Sequence, residues 1–388
     1  MALEDLYGKI LARAIDVIRK ETSLPALINH QTTGDRSQGA NYGGVTEVII
    51  PPEFVSRPVL PAASPPPSGN APNPLTVKVP LNYWEEVNFP LNEEHLTLME
   101  NADRDTPMFL MNAVSPIVER MTESIAHNYK GIYGVVGTPG VTPFGFAPTD
   151  AQQAKTVLTR QKCPKFMRKM SLNSGAYGNA TGLPAFRDIS QSASSEALRE
   201  GEVSRAYGFD WYEDVGLDNI SHLSTPLSPG AATVHGPHPV GTKTVTINKA
   251  TNPSPLVIGD VITFAGDSQQ YVVTLNVTLG VGNTAIQVEP ALRLPKTGGE
   301  AVTLLASHSI NLAFHPFAFA FDSRPAARLN IPGVTNNFLT WVDDMTGVTL
   351  RLEIRDEYHQ LGFYLSCLWG TVLVDPRLAV RIAGQVGE

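Results

Sequence analysis

The longest stretch in which apolar residues keep helical spacing runs from Thr106 to Lys130. Its apolar positions recur at intervals of three and four and so share one face, while charged and hydroxyl side chains occupy the other. The apolar face consists of Val114, Ile117, Val118, Met121, Ile125 and Tyr129. The pattern predicts one long helix that packs on one side and faces water on the other.

Both ends of this helix are marked in the sequence. Asp105 or Thr106 can cap the first turn, and Pro107 suits the first helical position, where no N–H group is needed. Gly131 suits the end of the helix. Pro116 interrupts the hydrogen-bond ladder and predicts a kink or a second helical start.

Before this helix, the chain contains a second helical pattern and a proline-rich stretch. Apolar residues between Leu3 and Ile18 repeat at three and four and predict an N-terminal helix. Val45–Ile50 and Thr76–Val79 read as strands, and ten prolines fall between positions 51 and 80. We interpret this region as an arm of two strands with a proline-rich tip; a linker between domains is the alternative.

After the long helix, short elements alternate with turns. Glycines at every third position from Gly131 to Gly140 predict a tight linker. Thr149 and Asp150 precede a helical pattern over Ala151–Leu158, and Phe166–Leu172 reads as a strand. Residues 196–217 predict a glycine turn followed by an aromatic-rich strand.

From about Thr225 to His308 the composition changes, with only four Lys or Arg and four Asp or Glu. Turn signals separate five short β-type runs, at the spacing of a small sandwich or barrel. The runs are Lys243–Ile247, Val261–Phe264, Tyr271–Leu275, Ala285–Glu289 and Val302–Leu305. We therefore predict an all-β insertion that folds around its own core.

The C-terminal part returns to long apolar runs. Ile310–Phe321 is apolar and aromatic, and Val348–Ile354 and Phe363–Val374 read as two strands around a turn at 358–362. These strands are too few for a separate domain, so we expect them to join a sheet beside the long helix. The predicted fold is α+β and discontinuous in sequence.

Composition narrows the possible functions. The net charge of −8 and the pI near 5.6 argue against a nucleic-acid-binding surface, which needs clustered Lys and Arg. Only 17% of residues are charged, while 32 are Gly and 31 are Pro, which indicates surfaces covered by neighbouring copies. No run reaches the length of a membrane helix, and Glu4 and Asp5 stand where a signal peptide would be basic, so we expect a cytoplasmic product.

Candidate chemistry in the sequence is sparse. Cys163 and Cys367 lie among apolar residues and are interpreted as buried thiols. His235 and His238 could offer two imidazoles to a metal, but without further ligands a loop is the favoured interpretation. No hydrolase or metalloprotease motif is present.

Two acidic clusters complete the candidates. Asp343 with Asp344, and Asp356 with Glu357 and His359, could hold a cation, but turn and surface carboxylates are the favoured interpretation. We therefore predict that the protein is not an enzyme and has no catalytic, cofactor-binding or metal-binding residues.

Several motifs together resemble the major capsid proteins of tailed bacteriophages, and most closely the short-tailed-phage coat proteins with an inserted β-barrel domain. The motifs, in chain order, are Gly201-Glu202-Val203-Ser204-Arg205, Gly208-Phe209-Asp210-Trp211-Tyr212, Gly259-Asp260-Val261-Ile262-Thr263-Phe264-Ala265-Gly266, Leu350-Arg351-Leu352-Glu353, Leu368-Trp369-Gly370 and Val374-Asp375-Pro376-Arg377. They are patterns of fold and not of chemistry, and their order is the stronger evidence.

The resemblance implies a division of the chain into named parts. These are an N-terminal arm (1–36), an extended loop (37–92), a peripheral domain with the long spine helix (93–140), an axial domain (141–223), a β-barrel insertion domain (224–308) and a return to the axial and peripheral domains (309–388). In some shells of this fold a lysine of the extended loop forms an isopeptide bond with a neighbour. Lys78 is the candidate here, and a solvated Lys78 is the favoured interpretation.

The resemblance also implies a function and partners. Such a protein assembles as hexamers and pentamers into an icosahedral head shell, enclosing double-stranded DNA without sequence-specific binding, in the host cytoplasm and then in the virion. A portal protein, a separate scaffolding protein and a decoration protein are the implied partners, and no membrane is involved. Two alternatives remain: a host nanocompartment of the same fold around a cargo enzyme, and a secreted carbohydrate-binding protein that uses the β insertion.

Overall fold

The structure, a computed structural model, describes residues 14, 24–30, 32, 39–50, 75–92, 106–187, 203, 205–227, 232–327, 337–343, 346–357 and 360–387. The helices are α1 (Leu24–Leu27), α2 (Thr106–Ala126), α3 (Thr149–Arg160), α4 (Ser174–Gly182) and α5 (Pro184–Arg187). Short 3₁₀ helices span His127–Gly131, Val215–Leu217, Pro316–Ala318 and Pro376–Leu378.

The strands are spread over the whole chain. The first eight are β1 (Val45–Ile50), β2 (Leu75–Pro80), β3 (Tyr83–Asn92), β4 (Val135–Gly137), β5 (Lys169–Leu172), β6 (Asp210–Glu213), β7 (Ser221–His222) and β8 (Ala232–Val234). The next seven are β9 (Thr244–Lys249), β10 (Ser254–Leu256), β11 (Val261–Phe264), β12 (Gln270–Val273), β13 (Val277–Leu279), β14 (Gly282–Glu289) and β15 (Val302–Leu304). The last six are β16 (His308–Phe314), β17 (Phe319–Arg324), β18 (Asn337–Val342), β19 (Thr349–Glu357), β20 (Gln360–Leu373) and β21 (Ala379–Gly384). The chain is thus a mixture of helix and sheet, as predicted.

Helix α2 packs against a five-stranded antiparallel sheet, which we call the spine sheet. Its order is β17-β20-β19-β18, and β3 pairs with the first part of β20 on the opposite side from β19. All six residues predicted for the apolar face of the helix are buried. They share one core with alternate residues of β19 and β20, which include Leu350, Leu352, Phe363, Leu365 and Trp369. The predicted return of the C-terminal strands to the long helix is confirmed.

A second sheet, which we call the mixed sheet, has the order β4-β21-β16-β5-β6, with β7 also paired to β16. Strands β4 and β21 are parallel, as are β5 and β6, whereas β16 is antiparallel to its neighbours. Helices α3 and α4 cover one face and share a core with Met170, Trp211 and Ile382. The other face of the sheet contributes Ile310, Leu312 and Phe314 to the core around α2.

Residues 232–305 form a separate β unit. One sheet has the order β15-β11-β12-β14-β9-β8, and β10 pairs with β13 beside it. Strand residues such as Val245, Ile262, Tyr271 and Ile286 form a core that includes no residue of the two other sheets. The chain enters and leaves this unit at one place, where Ser224 N donates to Ser307 Oγ at 3.0 Å.

Most predicted elements are confirmed, with four corrections. The long helix has no second start at Pro116, because it is continuous from Thr106 to Ala126, and its last turn, predicted as α-helix, is a 3₁₀ helix. The predicted glycine linker at 131–140 contains β4, because Val135 and Val136 find partners on β21. The strand predicted from Phe166 begins only at Lys169, because Met167 has a φ of 56° and lies in a turn.

The structure also contains strands that the sequence patterns did not predict, namely β3, β4, β7, β8, β10, β13, β16, β17, β18 and β21. Several predictions lie outside the described residues. These are the N-terminal helix apart from Ala14, the proline-rich tip, and Glu196–Glu202 before the aromatic strand.

Candidate functional site

The hairpin of β1 and β2 packs against strands β17 and β20 of the spine sheet. Val48 and Val79 pack against Ala320; near the base, Gly43 N donates to the carbonyl of Leu81, and Leu81 N donates to the carbonyl of Gly44. A Cβ at Gly370 would lie 2.2 Å from the carbonyl oxygen of Pro80, so only glycine allows the hairpin to cross β20 this closely. This contact explains the Leu368-Trp369-Gly370 motif.

Beyond its root, the hairpin exposes apolar side chains on both faces. Ile49 is 54% exposed and Leu75 is 66% exposed, and Val45 at the root is exposed as well. Lys78 is exposed opposite Glu47 in the register of the two strands. The hairpin therefore presents a mainly uncharged surface that its own chain does not cover among the described residues.

Exposed large apolar side chains occur on the other units too. Trp84 and Trp341 lie on the spine sheet, Phe166 lies beside the mixed sheet, and Val240 and Val281 lie on the β unit. Isolated exposed apolar residues are normal, but aromatic residues are enriched at protein interfaces. The surfaces that carry Trp84, Trp341 and Phe166 are thus suited to contacts with other chains.

A buried polar cluster joins the β unit to the body of the molecule. His222 lies between Tyr129 and Asp260: its Nδ1 is 3.2 Å from the tyrosine hydroxyl, and its Nε2 is 2.9 Å from Asp260 Oδ1. Arg381 Nη1 donates to the carbonyl of Gly259 at 2.9 Å, and its guanidinium stands over the ring of Tyr129. We call these residues and the adjoining His308 the junction cluster.

The backbone of the β unit is shaped for this contact. Gly259 has a φ of 98°, and a Cβ there would meet His222 at 3.2 Å and the backbone of Lys130 at 3.3 Å. Asp260 also accepts a hydrogen bond from Val257 N at 2.8 Å, which closes the turn before β11. The Gly259-Asp260 motif therefore fixes how the β unit sits on the body.

Burial shifts the pKa of three residues of the junction cluster. It lowers the pKa of Arg381 to about 9, and the Nε and Nη2 atoms of that side chain have no hydrogen-bond partner among the described residues. Burial lowers the pKa of His308 to about 4, and the charges of Arg381 and His222 act in the same direction. Burial also raises the pKa of Tyr129. His308 is thus neutral at pH 7, with Nδ1 2.8 Å from the carbonyl of Ala306.

We expect His308→Gln to flatten the acid side of the stability profile. In the unfolded chain His308 has a pKa near 6.5 and is protonated below that pH, whereas in the folded chain it stays neutral down to about pH 4. Its stabilising contribution is therefore complete above pH 6.5 and is lost as the pH falls towards 4, by about 3 kcal/mol. Urea denaturation of wild type and variant at pH 7 and pH 4.5 measures the difference.

The matched control is His235→Gln, because that imidazole is exposed. Its profile should follow the wild type. If His308→Gln loses stability between pH 7 and pH 4.5 as steeply as the wild type does, the buried neutral imidazole is not a source of the acid sensitivity.

The residues singled out for metal chemistry do not form a site in the described chain. His238 Nε2 accepts a hydrogen bond from Thr246 N at 3.2 Å, so this imidazole nitrogen bonds to a nearby backbone group of its own chain. Asp343 is buried and accepts from Thr346 N and Oγ1, which confirms its interpretation as a turn residue. Asp344 and His359 lie outside the described residues, as do the side chains of Asp356 and Glu357.

Three further observations bear on chemistry. Among the described residues, no group of three His, Cys, Asp or Glu side chains is placed to hold a metal ion. Cys163 and Cys367 are free and buried, as predicted, and burial raises the pKa of Cys367 to about 12. No helix within the described ranges is long and apolar enough to span a membrane.

The sequence motif that contains Gly259 and Asp260 gave no indication of the residues with which these two pair. His222 lies 38 residues before Asp260, and Arg381 lies 122 residues after Gly259. The available signals were a histidine immediately before the low-charge segment and an arginine within the apolar run of β21.

Comparison with known proteins gives structural matches only. No protein-family model matches the chain, and no curated protein does. Among solved structures, the chain is similar to the capsid structure of the cyanophage P-SCSP1u, with 10% identity and a TM-score of 0.45 over 90% of this chain and 85% of that one.

Two further matches are of the same kind. The mature capsid of bacteriophage PhiM1 matches with 8% identity and a TM-score of 0.41, over 93% and 88% of the two chains. The virus-like particle from Pyrococcus furiosus matches with 10% identity and a TM-score of 0.42, over 97% and 99%. The matches include phage capsids, as the resemblance in sequence predicted.

Proposed function

We propose that this chain is the major capsid protein of a tailed bacteriophage, which self-assembles through hexamers and pentamers into an icosahedral shell around double-stranded DNA. In this proposal it is a component of the virion with no catalytic activity, assembled in the host cytoplasm. A portal protein, a separate scaffolding protein and a decoration protein are its proposed partners. Residues 1–36, 37–92 and 224–308 are the proposed N-terminal arm, extended loop and insertion domain.

The observation that carries the proposal is the hairpin of β1 and β2. It packs on the spine sheet through Val48, Val79 and the close contact at Gly370, and it exposes Ile49 and Leu75 at the end of its strands away from the root. Burying such side chains contributes about 1.5–3 kcal/mol each, and the described part of the chain does not bury them. A neighbouring copy that covers the hairpin supplies this burial.

We expect Ile49→Asp combined with Leu75→Asp to abolish assembly while leaving the subunit folded. Both side chains are exposed in the single chain, so the subunit loses little, whereas a charge buried without a partner at an interface costs several kcal/mol. Sedimentation and circular dichroism measure assembly and folding separately.

The control is Val240→Asp combined with Val281→Asp, which changes two exposed valines on turns of the β unit. It should assemble as the wild type does. Normal particles from the hairpin variant would contradict its role in the contact.

The proposed function itself is tested by sedimentation of the purified protein and by analysis of the particle contents. A 41.9 kDa chain that forms a shell should sediment as a closed megadalton particle. Particles from the natural host should contain nuclease-protected double-stranded DNA. An enriched cargo enzyme in place of DNA would favour the nanocompartment, and a stable monomer would contradict both.

A further inference from the structure

In one segment of this acidic protein, every charged residue is a lysine or an arginine. Residues 151–187 contain no Asp or Glu, although the whole chain has 37 of them against 29 Lys and Arg. The basic residues of the segment are Lys155, Arg160, Lys162, Lys165, Arg168, Lys169 and Arg187. The segment comprises α3, the loop to β5, β5 itself, α4 and α5.

Lys162 and Lys165 lie in the loop between α3 and β5, and both are exposed. Neither has an ion-pair partner among the described residues, whereas Arg120, Lys243 and Arg377 are exposed cations that do. This loop therefore carries positive charge that the described part of its own chain does not neutralise.

Two apolar side chains stand between these charges and the start of β5. Phe166 is 60% exposed and Met167 is 51% exposed. We call Lys162, Lys165, Phe166 and Met167 the basic loop patch. An apolar centre with a charged rim is the usual arrangement of a protein interface.

The patch is rigidly built. Arg168 is buried, and its guanidinium donates to the carbonyls of Cys163 and Pro164, at 2.7 Å each, and to Thr159 Oγ1 at 3.2 Å. Lys162 and Met167 adopt left-handed backbone conformations, with φ of 63° and 56°, that non-glycine residues rarely take. These bonds thus fix the backbone from which the exposed side chains of the patch project.

The opposite charge lies on another part of the molecule. On the exposed side of α2, beside the edge strand β3, Arg120 pairs with Glu85 and Glu123, and Glu119 is exposed next to it in the helix, which leaves a net charge of about −2 by this count. We call Glu85, Glu119 and Glu123 the acidic patch. It carries unbalanced charge of the opposite sign to the basic loop patch.

The two patches belong to different units of one chain. The basic loop patch follows α3 on the mixed sheet, while the acidic patch lies on α2 and the spine sheet. No ion pair joins them among the described residues. We propose that the basic loop patch of one copy docks head to tail on the acidic patch of a second copy.

This inference deepens the proposed shell and rests on it. A head-to-tail contact uses two different surfaces, so copies can add in one direction until a ring closes. Complementary charges fix which surfaces meet and speed their encounter. Nucleic acid is the less suitable partner, because a binding face for it needs many clustered cations and the chain is acidic overall.

Charge reversal on each side tests the contact in the full-length protein. Lys162→Glu with Lys165→Glu should reduce the yield of particles at least tenfold at low salt, and so should Glu85→Lys with Glu123→Lys. The four substitutions combined should restore the yield to within about threefold of the wild type, because opposite charges meet again. Sedimentation measures the yield, and melting curves of each unassembled variant report its folding.

The matched control is Lys243→Glu with Arg293→Glu, which makes the same change in net charge on the β unit and should assemble normally. Normal assembly of either reversed pair, or no restoration by the combined variant, would overturn the inference. Intact particles that lose only their nucleic acid would assign the loop to nucleic-acid binding and overturn it too. If the wild type forms no particle, the proposed function itself fails.

Discussion

Trp369→Ala should lower the free energy of unfolding of the subunit by about 3–5 kcal/mol, the range for removing a fully buried large aromatic side chain. Trp369 is 0% exposed and lies in β20 within the core shared with α2. Its Nε1 donates to Ser124 Oγ at 3.0 Å, and its ring stacks on Tyr83. The substitution thus removes the contact that joins the long helix, β3 and β20.

The matched control for this prediction is Trp341→Ala, which removes the same side chain from β18, where it is 48% exposed. We expect a loss of about 1 kcal/mol or less. Urea denaturation of unassembled subunits, followed by circular dichroism, compares the two. Equal losses would show that the spine sheet and α2 do not form one core.

Lys296→Ala should destabilise the β unit by about 3–5 kcal/mol, because it leaves the buried carboxylate of Asp267 without its cation. The Lys296 amino group donates to Asp267 Oδ2 at 2.9 Å, and both side chains are almost completely buried. Tyr271 and Gln269 N also donate to this carboxylate. Although burial raises the pKa of Asp267, these hydrogen bonds outweigh it and lower the pKa, so the carboxylate stays charged near pH 7.

Hydrogen exchange of amides in β11, β12 and β15 of the full-length chain measures this loss. The expected change is an acceleration of roughly two to four orders of magnitude. The control is Lys243→Ala, which breaks an exposed pair with Glu289 in the same unit and should cost under about 1 kcal/mol. Comparable acceleration by the two variants would contradict the buried pair.

The sequence predicted well those elements in which the spacing of apolar residues along the chain matches the spacing of the buried side chains. Helix α2 keeps a clean apolar face because that face packs in the core beside the spine sheet. The prediction of a wet opposite face holds for Glu119 and Arg120 but was wrong for Thr122, which is buried near Gly216. The run at Val261–Phe264 became β11 with the predicted bounds, because turns at Gly259 and Gly266 delimit it. Such signals predict structure reliably because they depend on residues that are close together in the sequence.

The elements that were missed depend on distant partners. β3 pairs with β20 nearly 280 residues away, and its acidic residues Glu85 and Glu86 obscure its alternating pattern. β21 is buried along its whole length and includes Arg381, so no alternation marks it as a strand. Sequence spacing cannot supply a pairing register of this kind.

The same distinction applies to the candidate sites: one was predicted from local signals, and the other depends on residues that are distant in the sequence. The arm of β1 and β2 was expected from its strands and prolines, and the structure adds which of its residues lie outside the root. The junction cluster could not be foreseen, because Tyr129, His222, Asp260, His308 and Arg381 come from separate elements. Each of these residues is unremarkable in its own segment, and only the fold brings them together.

Electron cryo-microscopy of the purified protein tests the proposed shell most directly. We expect closed particles of uniform diameter, built from rings of copies. In each subunit α2 should lie against the spine sheet, and the hairpin of β1 and β2 should contact the neighbouring copy. A field of single 41.9 kDa molecules, or particles in which this hairpin contacts no other copy, would contradict the account.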